Sequence, residues 1–427
     1  MRSIKAAGTA SIAGLMLLLL AFLFPIGAHA ADPLNNHESL LTVGNGVEAA
    51  FQSINQAAAA ADAGDTILVK PGIYRERVIL NKTVTLLAEG SAVIDGGANG
   101  SVLTITADGC RVEGFTIRGS GSDLKNNDAG MMIKSRNNYV INNLIEENIF
   151  GIYLFGSSGN KVLRNTIVGK NNLDESLRGN GIHLWNADEN LIEGNTIHGA
   201  RDGLYFSYAD SNIIKDNVAY GQRFGVHYMY SSDNLLQKNS LRNNKVGAMM
   251  MFSQNNIIEG NILIGNSDYG IVLKDFDENT IRNNKLKDNG TGVYLPNAVN
   301  NKIYGNMFEA NVIGLHLTGG TEKNVFSKNA FINNENQVRI QGNTNNTWSE
   351  AGRGNYWSDY RGFDLDGDGI GDLSYRETDL VQSLLAEHPT AKLLYYAPVM
   401  QLLNWLDNSF SVLWPEGVVD RFPLINV

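Results

Sequence analysis

The chain has 427 residues, a formal net charge of −10 and 43% hydrophobic residues. This much apolar material excludes wholesale disorder, and the acidic balance argues against nucleic acid as a partner, because phosphate-binding proteins normally carry a basic stripe. The single cysteine, Cys110, excludes an internal disulfide.

The first 30 residues have the pattern of a secretory signal peptide. Arg2 and Lys5 precede an apolar run, which ends with small residues around His29. We expect cleavage after Ala30, with an uncleaved membrane anchor as the alternative. The rest of the sequence contains no second uninterrupted apolar stretch of about 20 residues, the length needed to span a membrane.

An N-terminal cap is predicted over residues 31–65. Residues 48–61, "EAAFQSINQAAAAA", are helix-prone and amphipathic. Residues 64–90 then alternate apolar and polar positions between Pro-Gly and Asn-Lys turns, which is typical of three short strands. A short helix of this kind can shield the open end of a stacked repeat structure.

A sequence repeat dominates residues 66–347. One copy, from Asn212, reads "NIIKDNVAYGQRFGVHYMYSSD", and successive copies begin 22 or 23 residues apart, except for an interval of 30 between Asn160 and Asn190. Each copy holds about three short strands and cannot bury its apolar face alone, so the copies must stack. We predict an all-β fold, a right-handed parallel β-helix.

A second asparagine recurs in each repeat, and we assign it to structure. Asparagine tolerates the positive φ of tight bends, and stacked amides can bond from coil to coil. This column consists of Asn143, Asn165, Asn195, Asn217, Asn239, Asn261, Asn284, Asn306 and Asn329.

Residues 247–256, "GAMMMFSQNN", raise the question of which methionines face outward. Strand alternation after the repeat glycine places Met250 in the core and Met249 and Met251 on the outer face. Two neighbouring outer columns follow from this alternation. The first consists of Met132, Tyr153, His183, Tyr205, His227, Met249, Val272, Tyr294 and His316. The second consists of Lys134, Phe155, Trp185, Ser207, Met229, Met251, Lys274, Pro296 and Thr318.

The outer columns support two interpretations that are compatible with each other. His227, Met229, Met249 and Met251 should form a rectangle, and thioether with imidazole suits Cu(I) better than Zn²⁺, Ca²⁺ or Mg²⁺. We include His183, from the same column, in the candidate ligand set. The alternative is a docking strip for a partner or for a covering loop. Its candidate residues are Met132, Tyr153, Phe155, Trp185, Tyr205, Tyr294 and His316.

The longer repeat interval places extra residues at 169–180, "GKNNLDESLRGN". They should form a loop beside His183 and Trp185. Such a loop either covers the strip, contacts a partner or is a neutral surface insertion.

Residues 364–372, "DLDGDGIGD", resemble the first part of an EF-hand calcium loop and belong to a predicted cap over 348–378. Asp364, Asp366, Asp368 and Asp372 stand at positions 1, 3, 5 and 9, but the glutamate of position 12 is replaced by Tyr375. We weigh a calcium site against an acidic turn that caps the last coil.

The repeat ends before a C-terminal tail, residues 379–427. Two short amphipathic helices and an apolar segment are predicted there. The tail is too short and interrupted to span a bilayer. It either packs on the open end of the solenoid or docks on a membrane partner or the membrane surface.

Paired carboxylates for polysaccharide cleavage are missing from the two outer columns. Asp275, Asp277 and Glu278 cluster in a turn, and Asp202 stands beside Arg201. We therefore predict a non-catalytic protein. A secreted carbohydrate-binding or carbohydrate-modifying β-helix is the alternative, because aromatic residues of the strip would also stack on sugars.

The repeats, the signal peptide, the segment "GNYWSDYRGFDLDGDGIGD" and the apolar tail together resemble the NosD family over nearly the whole chain. The resemblance implies a periplasmic β-helix protein held at the inner membrane by a permease, in an ABC-type complex with a cytoplasmic ATPase. It further implies a copper chaperone as donor and nitrous oxide reductase as client, whose copper–sulfide site the complex helps to assemble. The family supplies no ligand motif, so the Met/His rectangle rests on this sequence alone.

Overall fold

A computed structural model describes residues 39–427 apart from 47, 343, 378–396, 400 and 403–416. The predicted signal peptide and most of the two helices predicted in the tail lie outside the described residues. No helix in the described ranges is long and apolar enough to cross a membrane.

Three long parallel sheets run along the chain, and each coil of the repeat contributes one strand to each sheet. The first sheet has 14 strands. Its strands are Leu40–Val43, Thr66–Val69, Thr85–Ala88, Arg111–Glu113, Tyr139–Ile141, Lys161–Leu163, Leu191–Glu193, Ile213–Lys215, Leu235–Gln237, Ile257–Glu259, Thr280–Arg282, Lys302–Tyr304, Glu322–Ser327 and Asn345–Thr347.

The second sheet has 13 strands and follows the first within each coil. Its strands are Gly72–Tyr74, Ala92–Asp95, Thr116–Arg118, Leu144–Asn148, Thr166–Gly169, Thr196–His198, Val218–Tyr220, Ser240–Arg242, Ile262–Ile264, Lys285–Lys287, Met307–Glu309, Ala330–Ile332 and Tyr356–Trp357.

The third sheet has 12 strands and carries the methionine triplet. Its strands are Val78–Leu80, Leu103–Ile105, Ala129–Ile133, Phe150–Phe155, Ile182–Trp185, Asp202–Ser207, Phe224–Met229, Val246–Gln254, Tyr269–Asp277, Thr291–Leu295, Ile313–Thr318 and Asn336–Gln341. Together the three sheets confirm the predicted class, an all-β parallel β-helix.

Apolar residues at alternate strand positions of every coil fill the interior. Ile182, Leu184, Leu204, Phe206 and Met250 are all fully buried. Each buried side chain of this size contributes about 1.5–3 kcal/mol. Because neighbouring coils keep the same alternation, the apolar columns form one continuous core along the solenoid.

Asparagine ladders connect successive coils at the turn between the first and second sheets. The side-chain oxygen of Asn239 accepts hydrogen bonds from both the backbone N–H and the amide group of Asn217, each at 3.0 Å. Asn239 in turn donates to the side-chain oxygen of Asn261 and to the carbonyl of Ile214. The coil-to-coil bonding expected of this column is therefore confirmed.

The backbone reason predicted for these asparagines is wrong. Positive φ belongs to the residue before each ladder position, as at Asn142, Asp216 and Lys238, whereas Asn239 is not among the positive-φ residues. The preceding residue makes the bend and points to solvent. The ladder residue is selected instead for its amide, which can donate and accept at the same time.

The N-terminal cap is shorter than predicted. The helix spans Ile54–Ala60, and the side chain of Ser53 caps it by accepting from the backbone N–H of Gln56. Residues 48–53 lie outside the helix. Strand Leu40–Val43 pairs with Thr66–Val69, so the first sheet begins inside the segment predicted as cap.

The C-terminal end of the solenoid is closed by the last residues of the chain. Strand Val418–Asp420 pairs antiparallel with Tyr375–Glu377. The carboxylate of Asp420, which is fully buried, accepts from the indole N–H of Trp357 at 3.0 Å and from the backbone N–H of Asn355. Residues 417–427 thus pack on the last coil, which extends to Tyr356–Trp357, beyond the predicted boundary at 347.

Replacing Asn239 with leucine should lower the free energy of unfolding by about 2–4 kcal/mol. The substitution leaves buried donors of Asn217 and the Ile214 carbonyl without partners, and each such group costs about 1–3 kcal/mol. Urea denaturation provides the measurement. Lys238→Gly is the matched control, because Lys238 is exposed with φ 53° and glycine tolerates that conformation. Equal stability of the two variants would show that the ladder is dispensable.

Candidate metal centre

The methionine triplet alternates between the core and the outer face of the third sheet. Met250 is fully buried, whereas Met249 and Met251 are half-buried on the outer face. The strand Val246–Gln254 continues without a break through all three residues. The side-chain directions are therefore those expected from the sequence.

Strand register brings the four residues of the rectangle together. His227 pairs with Met249, and Met229 pairs with Met251, on adjacent parallel strands. Neighbouring strands lie about 4.8 Å apart and alternate residues about 6.6 Å apart along a strand. Three thioethers and one imidazole therefore share one patch of the outer face. The hydroxyl of Tyr205 lies 3.9 Å from the sulfur of Met229 and borders this patch.

The two ring nitrogens of His227 have different surroundings. Nδ1 lies 3.1 Å from the carboxylate of Asp202. Nε2 is buried and has no hydrogen-bond partner. An ionised carboxylate can only accept, so Nδ1 carries the proton and, in the neutral ring, Nε2 keeps a free lone pair. A metal-binding histidine has this same arrangement, with a carboxylate holding the nitrogen opposite the metal.

Asp202 is itself fixed by Arg223. The guanidinium of Arg223 donates two hydrogen bonds to the fully buried carboxylate, at 2.9 and 2.8 Å. Burial opposes the charged form, but the hydrogen bonds from His227 and Arg223 outweigh it and lower the pKa of Asp202. The carboxylate is therefore charged at neutral pH and acts as the acceptor for Nδ1–H of His227.

Asp202 is not among the site residues predicted from the sequence, because the predicted outer columns begin after the repeat glycine. The position before that glycine also belongs to the site, and Asp202 pairs there with Phe224 of the next coil. Gly203 permits this close stacking, since a Cβ atom there would lie 2.5 Å from the carbonyl oxygen of Gly225. The signal was present in the sequence. The corresponding residues of nearby coils, Asn180, Phe224 and Val246, are uncharged, so a carboxylate stands out.

His183 is not adjacent to the rectangle. Tyr205 stands between His183 and His227 in the column, with ring centroids 4.6 and 4.9 Å from the two imidazoles. The Nδ1 atom of His183 lies 3.2 Å from the amide of Asn180. Burial, with a smaller contribution from the charge of Arg201, lowers the pKa of His183 to about 3. The ring is therefore neutral and two coils away from His227.

The N-terminal half of the docking strip is covered, which corrects the expectation that it faces solvent. Met132 and Tyr153 are only 6% and 4% exposed. Leu124 and Leu173, from two surface loops, pack against the cluster that contains them. The loop that contains Leu173 is the predicted insertion, and Trp185 packs against the same cluster. This loop therefore covers the N-terminal half of the strip.

The insertion loop also reaches towards the rectangle. Glu175, in the short 3₁₀ turn Glu175–Leu177, forms an ion pair with Lys245 at 2.9 Å, although 70 residues separate the two. Lys245 directly precedes the strand that carries Met249. The open part of the strip therefore begins at the edge of this loop.

The remaining candidates of the strip lie on the outer face and stack with their neighbours. Phe155 and Trp185 stack with ring centroids 4.6 Å apart, and Phe155 is 38% exposed. Tyr294 stacks with Tyr269 and contacts His316 at 4.8 Å. This face thus carries nearly continuous aromatic packing on both sides of the methionine patch.

The acidic loop brings three of its four candidate ligands together. Asp364, Asp366 and Asp368 can each place a carboxylate oxygen within 4.8 Å of the others. Asp372 instead accepts the backbone N–H of Leu365 at 2.8 Å. Burial opposes ionisation of Asp364, but backbone hydrogen bonds, from Gly369 and then Gly367, lower its pKa.

The fold and the patch define a parallel β-helix protein whose outer face carries three thioethers and one imidazole side by side. Residues 165–362 match the family model described as periplasmic copper-binding protein (NosD). The chain is 40% identical over 372 residues to the Pseudomonas aeruginosa protein named probable ABC transporter binding protein NosD, covering 83% of this chain and 87% of that protein. A protein of the same name from Stutzerimonas stutzeri is 36% identical over 405 residues, covering 91% and 93%. The chain belongs to the NosD family.

Two solved structures share the fold at low sequence identity. An alginate lyase, AlyF-OU02, has a TM-score of 0.54 at 15% identity, covering 73% of this chain and 85% of its own. The catalytic domain of a GH87 α-1,3-glucanase has a TM-score of 0.52 at 15% identity, covering 77% and 70%. These likenesses show the architecture alone.

Replacing Asp202 with asparagine should change the tautomer of His227 and lower stability. The charge that holds Nδ1–H disappears and Arg223 loses its buried partner, at a cost of roughly 1–3 kcal/mol because Arg223 is partly exposed. Nitrogen-15 NMR of the imidazole should show the Nδ1–H form in the parent and a mixture in the variant. Asp216→Asn removes an exposed carboxylate and serves as control. An Nε2–H tautomer in the parent would contradict the assignment.

Proposed function

We propose that this protein is a periplasmic copper-binding factor that receives Cu(I) and passes it on through the patch formed by His227, Met229, Met249 and Met251. The observation that carries the proposal is the buried, unpartnered Nε2 atom of His227, on a strand paired with the methionine triplet. The membership of the NosD family supports it.

The chemistry of the patch suits a site that binds and releases its cargo. Thioether sulfurs are neutral, soft ligands, and they favour Cu(I) without the strong binding of a thiolate. The one cysteine, Cys110, is buried elsewhere in the core and is not a competing ligand. Asp202 keeps the His227 lone pair available, while the three methionine side chains are flexible enough to adapt to an incoming ion.

The wider role follows from the names of the relatives. They are called ABC transporter binding proteins. We therefore propose that the chain works with a membrane permease and a cytoplasmic ATPase. In that complex a copper chaperone is the donor, and the copper–sulfide site of nitrous oxide reductase is the destination. Association with the permease would hold the protein at the inner membrane. The tail between residues 379 and 416 is the proposed contact, because residues 417–427 already pack on the solenoid.

At the methionine patch, the arrangement of carboxylates disfavours the alternative, a carbohydrate-modifying enzyme. Such an enzyme needs two carboxylates that reach the substrate from the outer face. Asp202 is the carboxylate of this patch, and it is fully buried and bonded to Arg223 and His227. We therefore propose a non-catalytic role.

The variant Met249→Ala/Met251→Ala should bind Cu(I) at least about tenfold more weakly than the parent, because two of the four proposed ligands are lost. Anaerobic competition titration against a Cu(I) chelator measures the affinity, and maturation of nitrous oxide reductase in cells provides the second readout. Met307→Ala is the matched control, since Met307 is a half-buried methionine of the second sheet. A folded double variant that keeps parental Cu(I) affinity and supports maturation would refute the site. A glycan-binding screen on the parent tests the carbohydrate alternative.

We also propose a structural calcium ion at Asp364, Asp366 and Asp368, supported by their mutual proximity. Calcium should raise the melting temperature of the parent relative to protein treated with chelator, because the ion relieves repulsion among three carboxylates. Asp364→Asn should abolish this shift, whereas the exposed Asp288→Asn should retain it. An unchanged melting temperature in the parent would show that the loop is an acidic turn without metal.

A further inference from the structure

Three exposed aromatic residues form a ladder beside the methionine patch. Tyr208, Tyr230 and Phe252 are 54%, 44% and 37% exposed, and their rings stack with centroids 5.2 and 5.0 Å apart. Tyr230 follows Met229 in the chain, and Phe252 follows Met251. The ladder therefore borders the rectangle on the side where the third sheet turns towards the first.

The ladder occupies a turn where other coils carry small or polar residues. Its three residues have φ values of 50–53°, and the corresponding positions of other coils are Asn186, Asp275 and Asn297 at φ 46°, 47° and 58°. Asparagine adopts this conformation readily, whereas aromatic residues do so at a cost. The ring stack is thus an addition to the turn, and asparagine can replace it without changing the backbone.

An open groove of about 370 Å³ lies next to the ladder. Tyr230 and Phe252 line one part of it, and the carboxylates of Asp210, Asp275 and Asp277 line another. Burial, followed by repulsion from Asp188 and Asp233, raises the pKa of Asp210. Lys274, whose ammonium lies 5.7 Å from the Phe252 ring centroid, is the cation at this edge among the described residues. The groove is therefore acidic and bordered by apolar rings.

The ring geometry disfavours a sugar as the occupant. A sugar ring stacks on an open aromatic face, but here the inner faces are covered by neighbouring rings at interplanar angles of 8° and 14°. Ring edges remain available, as does the second oxygen of each carboxylate. The first oxygens of Asp210, Asp275 and Asp277 accept hydrogen bonds from Ser232, Asn297 and Val299, respectively. Arginine and lysine combine an apolar stem, which can pack along the exposed ring edges, with a cationic head that can pair with a carboxylate.

We propose that the ladder and its acidic groove form a docking surface for a protein partner that presents arginine and lysine side chains. Their stems would lie along the ring edges, and their charged groups would pair with Asp210, Asp275 and Asp277. A partner bound here lies directly beside Met229 and Met251. The idea that this partner gives or takes copper rests on the proposed function. The docking of a cationic partner does not depend on it.

The test measures binding of a synthetic peptide of alternating arginine and glycine to the full mature chain by isothermal titration calorimetry. Asp210→Asn/Asp275→Asn/Asp277→Asn should weaken binding by about tenfold. The control Asp216→Asn/Asp268→Asn/Asp288→Asn removes the same charge from exposed turns elsewhere and should change binding by less than about twofold. The Cu(I) affinity of all variants should equal that of the parent.

A second variant tests the rings with every charge kept. Tyr208→Asn/Tyr230→Asn/Phe252→Asn uses the residue found at this turn in other coils. The variant should therefore fold with at least parental stability. It should nevertheless bind the peptide several-fold more weakly than the parent. Three outcomes would each overturn the proposal. The two charge variants could weaken peptide binding equally, the asparagine variant could bind the peptide as the parent does, or the parent could fail to bind it. Binding of a neutral oligosaccharide that depends on the rings would assign the surface to sugar instead. If the parent does not bind Cu(I), the proposed function is refuted, but the docking surface is not.

Discussion

The amide ladder is the constraint on which the rest of this structure depends. A parallel β-helix must hold every coil in the same register as the next, because a shift of one residue would turn the apolar side chains outward. The ladder fixes that register at a turn, where each asparagine accepts two hydrogen bonds from the previous coil and donates to the next. The strands between these turns are only two to nine residues long, so the ladder supplies specificity that such short strands lack.

A fixed register turns a one-dimensional repeat into a two-dimensional array of side chains. Residues 22 positions apart become neighbours, as His227 and Met249 do. A patch of thioether and imidazole side chains can therefore be built from a few substitutions on an otherwise repetitive scaffold. In the third sheet, the inward residues remain apolar while the outward column changes from aromatic to thioether within two coils.

Electrostatics then distinguishes His227 from His183 of the same column. Both rings are removed from bulk solvent, but only His227 has a charged carboxylate on Nδ1 and an unpartnered Nε2. His183 instead contacts a neutral amide and lies near Arg201, which disfavours any further positive charge. The difference arises from one residue, Asp202, held by Arg223 from the next coil. The covering loop then separates the packed half of the face from the open half that a partner can reach.

The period, the parallel stacking and the inward or outward direction of each methionine could be predicted from the sequence, because each follows from local alternation and from the spacing of asparagine and glycine. Met250 in the core and Met249 outside required nothing more than counting residues. Other features were decided only by tertiary structure. From the sequence, Asp202 is an ordinary acidic residue of a turn. It becomes part of the patch because Gly203 lets adjacent coils approach closely and because Arg223 neutralises its charge. Leu173 covers the strip because an insertion folds back across several coils, a contact between distant residues that no local pattern encodes.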